Sequence, residues 1–362
     1  MTLVDPLAFT VSALVARGAL AERDDDGALA VVPPAVAREL GITDSVRLAA
    51  TGAEGATACG MGSPLLERLV SRARAHVPVA WARLDHDPPR ASHAAAMAER
   101  FIVRNGRAEV GGVTLGDGRY VVVTFAYVAE ADERYEGLVR AVVEADSGGA
   151  PDDAFLALLD PRSIALNPSR GALFDAAPVA GRIASRADAH VRRAVASIAE
   201  RVARRFARDH ARIAEYFGSL VTEARAPRRR QDAAAIDAKV VHLIAERDTK
   251  LRDLTDRYAL RVSVAPAAVV SVLAPVARVV LTVRRRKAAR EIVLRLPAGA
   301  ESLDALACDG CEGTTSRPAV CDEKLHVLCE VCLKSVTGRP VCAACGGKRP
   351  VARRLHVSAD QR

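Results

Sequence analysis

The residues best equipped for chemistry crowd together near the end of the chain. They read Cys308-x2-Cys311-x9-Cys321-x4-His326-x2-Cys329-x2-Cys332-x9-Cys342-x2-Cys345. Seven of the eight cysteines lie in this run, with one histidine. Eight soft or borderline donors divide into two sets of four, and a structural zinc site is nearly always tetrahedral with Cys and His ligands. The spacing therefore predicts two structural zinc ions as cofactors. Each site would be closed, with no open position from which a water could act as nucleophile. Three Cys-x2-Cys pairs can each form a tight knuckle, with Gly310 inside the first and Gly346 just after the last supplying backbone freedom.

How the donors divide can be argued from local structure. Residues Pro318 to Leu328 read as a short hairpin around Asp322-Glu323-Lys324. Cys321 and His326 would then lie opposite each other, and cross-strand partners point to the same face. They would serve one metal, joined by Cys342 and Cys345, while Cys308, Cys311, Cys329 and Cys332 serve the other. A sequential grouping, first four donors and then last four, is the alternative. The interleaved order resembles the cross-brace of RING-type and related treble-clef zinc modules. The likeness rests on His326-x2-Cys329-x2-Cys332 and the closing Cys342-x2-Cys345, and it covers about a tenth of the chain. In ligase members of that group an apolar residue in the first knuckle docks a conjugating enzyme, whereas this knuckle holds Asp309 and Gly310. Ala343 stands where Pro often follows the seventh ligand, and the gap between Cys321 and His326 is longer than usual. The resemblance thus implies the metal scaffold more than ubiquitin-ligase activity.

Composition sets the context for that module. A chain of 362 residues, half of them hydrophobic, predicts two to three domains. Cysteines clustered at metal spacing point to a reducing, cytoplasmic location, and Cys59 alone reads as a small core or loop residue. The start Met-Thr-Leu-Val-Asp-Pro lacks a signal-peptide pattern. The longest uncharged run, Val262 to Ala277, is broken by Pro266 and Pro275 and too short for a membrane helix, so no membrane association is expected. Net charge is +8 and uneven: residues 1–180 hold 17 Arg/Lys against 24 Asp/Glu, residues 181–362 hold 35 against 20. Lysine is absent before Lys239. GC-rich coding explains Arg over Lys; it does not explain an acidic half followed by a basic one.

The elements that must position these residues predict an α+β multidomain fold. It comprises an α/β N-terminal part, a long antiparallel helical hairpin (coiled coil), a small β unit and a C-terminal double-zinc module. Residues 1–60 read as a small winged-helix-like unit. It has a helix from Pro6 to Ala21, a hairpin Glu22–Val32 turning at Asp24-Asp25-Asp26-Gly27, a helix Pro34–Leu40 ended by Gly41, and a strand Arg47–Ala50. Its acidic turn suits protein interaction better than phosphate. Residues 61–160 read as α+β, with a helix from Pro64 to Ala75 behind Ser63. Strands follow at Val77–Leu84, Phe101–Arg104, Gly118–Ala129 and Tyr135–Ala145, and Asp85-His86-Asp87 before two prolines reads as an exposed turn.

A linker spans 161–181 and the helical hairpin 182–259. Its first helix carries Val191, Val195, Ile198, Val202, Phe206, Ile213, Phe217 and Leu220 at seam spacing. The segment Arg225–Arg230 breaks it, and a second helix from Asp232 to Tyr258 should fold back. Strands Leu260–Val264, Ala268–Leu273, Val276–Val283 and Glu291–Leu296 make up a β unit, 260–300, before the zinc module, 301–350. The overall order resembles uncharacterised bacterial coiled-coil zinc-finger proteins, a likeness that implies no activity.

No phosphate-cradling glycine loop, nucleophile elbow or spaced carboxylate–histidine set is present, so an enzyme is not expected. The charge pattern predicts a zinc-containing adaptor that binds nucleic acid through its basic half. Arg228, Arg229 and Arg230 sit at one turn, and Arg284, Arg285, Arg286 and Lys287 at a hairpin tip. Arg186, Arg193, Arg201, Arg204, Arg208 and Arg212 form a stripe on the first long helix, turned away from the seam. Aromatics make up only 4 %, which favours phosphate-backbone contact over base stacking. The acidic half would dock a protein partner, and the coiled coil could self-associate. A pure protein scaffold with structural zinc, and a RING-type ligase-like module, are the rival readings.

Overall fold

The computed structural model describes residues 5–51, 53–75, 77–159, 164–166, 177–226, 233–336, 339–342 and 344–345. They form two compact units, divided after Pro78. In the first unit, α1 (Pro6–Val15) starts where the Asp5 carboxylate accepts the Leu7 N–H at 3.0 Å, with Pro6 at the first helical position. It stops well before Ala21, because Gly18 turns at φ 87° and the next residues are taken by β1 (Leu20–Asp24). β2 (Gly27–Val31) pairs back across the acidic turn, and α2 (Pro34–Leu40) ends on Gly41 in the left-handed conformation, as expected. β3 (Ser45–Ala49) pairs antiparallel with β2, and β4 (Thr57–Ala58) runs parallel to β3. α3 (Pro64–Ala75) begins with Ser63 Oγ accepting the Leu66 N–H. The hairpin is part of this four-stranded sheet, ordered β1-β2-β3-β4, and not a free wing. All three helices contribute to the core on one face of it, through Leu7, Leu14, Ala37, Leu40, Leu65 and Leu69.

The second unit is organised on one six-stranded sheet. Its elements are β5 (Val79–Leu84), α4 (Ala91–Glu99), β6 (Arg107–Glu130), β7 (Arg134–Glu144), α5 (Asp153–Leu158), β8 (Ile164–Leu166), α6 (Ala177–Arg225), α7 (Ala233–Tyr258), β9 (Arg261–Arg285) and β10 (Ala288–Pro297). The order is β7-β6-β9-β5-β8, with β10 also on β9. The strands of 260–300 are therefore not a separate unit: β9 pairs along the whole of β6, from Arg107↔Arg284 to Glu130↔Arg261. The three strands expected between Leu260 and Val283 are one continuous strand. Pro266 is tolerated because it falls at an irregularity opposite Phe125. Pro275 falls where β9 hands over from β5, which it pairs up to Leu273, to β10, which it pairs from Val276. No ladder donor is needed there. Phe101–Arg104 is not a strand; it is the link from α4 to β6.

Both faces of the sheet are covered, which is why Tyr120 to Val123 are buried without alternation. Tyr120 and Val122 pack with Phe155 of α5, and Val121 and Val123 with Val179, Ile183 and Ala187 of α6. The α6 seam expected to face another helix divides in two. Val191, Val195, Ile198 and Val202 pack on the sheet against Ala129, Tyr127, Tyr135 and Val264. Only beyond them does α7 return along α6: Tyr258 O–H donates to Asp209 at 2.7 Å, and its ring meets Phe206 edge-on. A 3–4 spacing marks a buried stripe, and a sheet can bury it as well as a helix can.

A charged group also lies inside this core. Asp304, 3 % exposed, accepts the Tyr120 hydroxyl at 2.8 Å, beside fully buried Glu144, which pairs with Arg295 at 3.4 Å. Burial, reinforced by Glu144, pushes the Asp304 carboxyl up to about 7. A raised folded value means that the native chain binds the extra proton from the ordinary carboxylate range up to about pH 7, so stability falls as pH rises through that window. Asp304→Asn keeps an oxygen for Tyr120 and removes the dependence. Its denaturant midpoint should exceed the wild-type value at about pH 8, by up to about 4 kcal/mol in free energy, and the advantage should shrink towards about pH 4.

Candidate metal centre

Among the described residues, six short strands build the C-terminal module: β11 (Leu306–Ala307), β12 (Thr314–Thr315), β13 (Ala319–Val320), β14 (Val327–Leu328), β15 (Leu333–Val336) and β16 (Arg339–Cys342). β13 and β14 form the expected hairpin, with Val320 opposite Val327 and Cys321 N–H donating to His326 O. That register carries Cys321 and His326 to one side of the turn. Leu325 takes the left-handed conformation, with φ 53°, and its side chain is almost fully buried. Gly310 is needed for space, not for a left-handed turn: a Cβ there would stand 3.2 Å from Cys332 Cβ.

The eight donors fall into two groups, each with its ligand atoms within 4.8 Å of one another. One is Cys308, Cys311, Cys329 and Cys332; the other is Cys321, His326, Cys342 and Cys345. The grouping is interleaved, not sequential. Each could hold a metal ion, and the spacing fits one. Cys311 and Cys329 sulfurs are 3.8 Å apart, and Cys321 and Cys345 sulfurs 3.9 Å. His326 Nδ1 lies 3.7, 3.5 and 3.4 Å from the sulfurs of Cys321, Cys342 and Cys345. A tetrahedron with metal–sulfur bonds of about 2.3 Å has edges of about 3.8 Å. Backbone N–H groups also point at the sulfurs: Gly310 and Cys329 donate to Cys308, Gly313 to Cys311, and His326 to Cys321, all at 3.3 Å.

Electrostatics agree with the geometry. Burial first, then the charges of Cys308 and Cys329, push Cys311 up to about 11 against the opposing Gly313 N–H. Cys321 is held below the ordinary thiol range: its burial opposes this, but the N–H groups of Lys324, His326 and Glu323 outweigh it. Thiolates this close repel, and a divalent cation at their centre removes the repulsion and deprotonates them together.

The module is built into the second unit. Val320, Leu325 and Val327 share a core with Leu281, Leu294 and Ala98. Asn105 brackets Val320, its side chain bonding both the N–H at 2.8 Å and the carbonyl at 3.0 Å. Asp309, in the first knuckle, accepts from Val327 N–H and from Arg290, both at 2.8 Å. Asp322, at the hairpin turn, pairs with Arg285 and, at 2.8 Å, with Arg286. Asn105, Arg290 and the roles of Asp309 and Asp322 carry no local sequence signal; they are long-range partners.

These contacts revise the expected basic tip. Arg285 is only 17 % exposed and also donates to Asn105 O, and Arg284 pairs with Glu109 at 3.4 Å. Lys287 and the outer part of Arg286 still face solvent. On α6, Arg186 donates to Thr314 of the module, and Arg193 lies 3.4 Å from His190. Arg201 stacks over the Tyr135 ring, while Arg204 pairs with Glu200 and Arg208 with Asp209. Arg212 lines a cleft beside Leu254 of α7. Arg228, Arg229 and Arg230 lie outside the described residues. Asp85-His86-Asp87 is an exposed irregular stretch, as expected.

No protein-family model, curated protein or solved structure matches the chain. Among the described residues no helix is long and apolar enough to cross a membrane.

Docking the module makes two effects measurable. Asp322→Ala removes the carboxylate from Arg285, which is 17 % exposed and keeps its bond to the Asn105 carbonyl, without replacing a ligand; it should cost about 2–3 kcal/mol of stability, read from a denaturant midpoint. Stripping the metal with a chelator should raise amide exchange in 318–328, in β10 and in α4, while 191–202 of α6 stays protected. Exchange confined to 308–345 would show that the module is not coupled to the sheet.

Proposed function

We propose that this chain is a non-enzymatic adaptor stapled by two structural zinc ions, which binds nucleic acid through the outer face of α6. Thiolate and imidazole donors favour zinc over magnesium or calcium, and four protein ligands per site leave no position for a reacting water. The observation that carries the binding reading is α6 itself: ten arginines against five acidic residues. Arg204 and Arg208 are 70 % and 65 % exposed and, among the described residues, pair with neighbours on their own helix. Such exposed pairs are worth little, about 0–1 kcal/mol, and yield readily to phosphate. Contact would be to the backbone, with little sequence readout.

A pure protein scaffold is the second reading, favoured by the use of Arg285 and Arg286 to hold the module. The ligase-like reading has the least support, since the first knuckle presents Asp309 and commits it to Arg290 and Val327. Titration of duplex DNA and structured RNA against salt tests the proposal. Replacing Arg193, Arg204, Arg208 and Arg212 with Ser should flatten the log–log salt slope by up to about 3–4 units. Replacing Arg285 should change stability and leave the slope unchanged. No binding at low salt, or an unchanged slope in the four-fold variant, would leave the scaffold reading.

A further inference from the structure

The geometry points to a docking face for a basic amphipathic helix on the open side of the N-terminal sheet. This rests on the adaptor reading and supplies the chemistry of its protein partner. The helices of this unit take one face of β1–β3, where Ala28, Ala30 and Leu48 are fully buried and Val46 nearly so. By strand alternation the other face should be polar. β3 obeys, with Ser45 and Arg47 exposed there. The hairpin does not: Leu20 is 77 % exposed, Val31 55 % and Leu29 49 %. Leu20 stands directly opposite Val31, and Leu29 is the next outward position on β2. The three aliphatics are thus contiguous, and contiguous apolar surface on a polar-patterned face marks an interaction site.

The charges around the patch choose the occupant. Glu22 lies opposite Leu29, and Asp24, Asp25 and Asp26 form the exposed turn at the end of the same hairpin. Against these four carboxylates the face presents Arg47, already paired with Asp24 at 3.0 Å. Arg23 is held by Asp5 at 3.1 Å. A second copy would bring one acidic turn against another or leave it unmatched, and nucleic acid would be repelled. A helix with an aliphatic stripe flanked by Lys or Arg satisfies both features. Outward positions on a strand recur every ~6.7 Å, close to the ~6 Å between residues i and i+4 of a helix.

The test uses the full-length, zinc-loaded chain and a synthetic helical peptide with a leucine stripe flanked by lysines, read by fluorescence anisotropy. The same peptide with glutamate flanks is the control. The lysine peptide should bind and the glutamate peptide should not. Threonine at Leu20, Leu29 and Val31 preserves strand propensity and should weaken binding at least about tenfold with an unchanged circular dichroism spectrum. Should that variant melt, Asp25→Asn with Asp26→Asn, confined to the exposed turn, should still weaken binding several-fold and reduce its salt sensitivity. No binding of the lysine peptide, equal binding of both peptides, or indifference to the variants overturns the inference. So does a concentration-dependent dimer in sedimentation that only the threonine variant abolishes, since that assigns the face to a second copy. Polyanion binding by α6 is read separately, so peptide failure with nucleic-acid binding intact rejects this face alone.

Discussion

Everything in the larger unit depends on the ladder between β6 and β9. The two strands meet across the entire helical pair, so their backbone groups are satisfied only by residues far away in the chain. Closing so long a connection costs entropy that only many simultaneous contacts offset. The ladder then creates its own demands. β5, β7 and β10 find their partners on it, and its two faces need cover. α5 serves one face and α6 the other, while α4 and the β13–β14 hairpin close the far end.

That last contact changes what the cysteine module is for. A segment so short buries too little to fold without metal. Here it also supplies Val320, Leu325 and Val327 to the core of the sheet, and takes Arg285, Arg286 and Arg290 from it. The dependence runs both ways. A metal at Cys321 and His326 would hold shut the hairpin that covers β10, and the ion pairs to Asp309 and Asp322 hold the knuckle and the turn in place.

Arginine is the residue whose role proved hardest to read in advance. Its long side chain can reach outward to a phosphate or inward to a carboxylate, and the sequence of 284–287 is the same in either case. Asp322 settled the matter for Arg285, which is nearly buried. Arg204 and Arg208 of α6, by contrast, are exposed and pair with Glu200 and Asp209 on their own helix, contacts that hold an arginine only weakly.

Much was legible in the residues alone. The metal donors and their interleaved grouping followed from ligand chemistry and from one hairpin register, because both are local. So did α2 with its Gly41 stop, α3 behind Ser63 and the acidic turn between β1 and β2, since caps and turns are written within a few residues. What tertiary structure alone decided was pairing at a distance. It joined β6 to β9, ran β9 unbroken through Pro266 and Pro275, gave half of the α6 seam to a sheet, and buried Asp304 beside Glu144. The reason is that a local pattern records which face of an element is buried, while the identity of what buries it depends on residues far away in the chain.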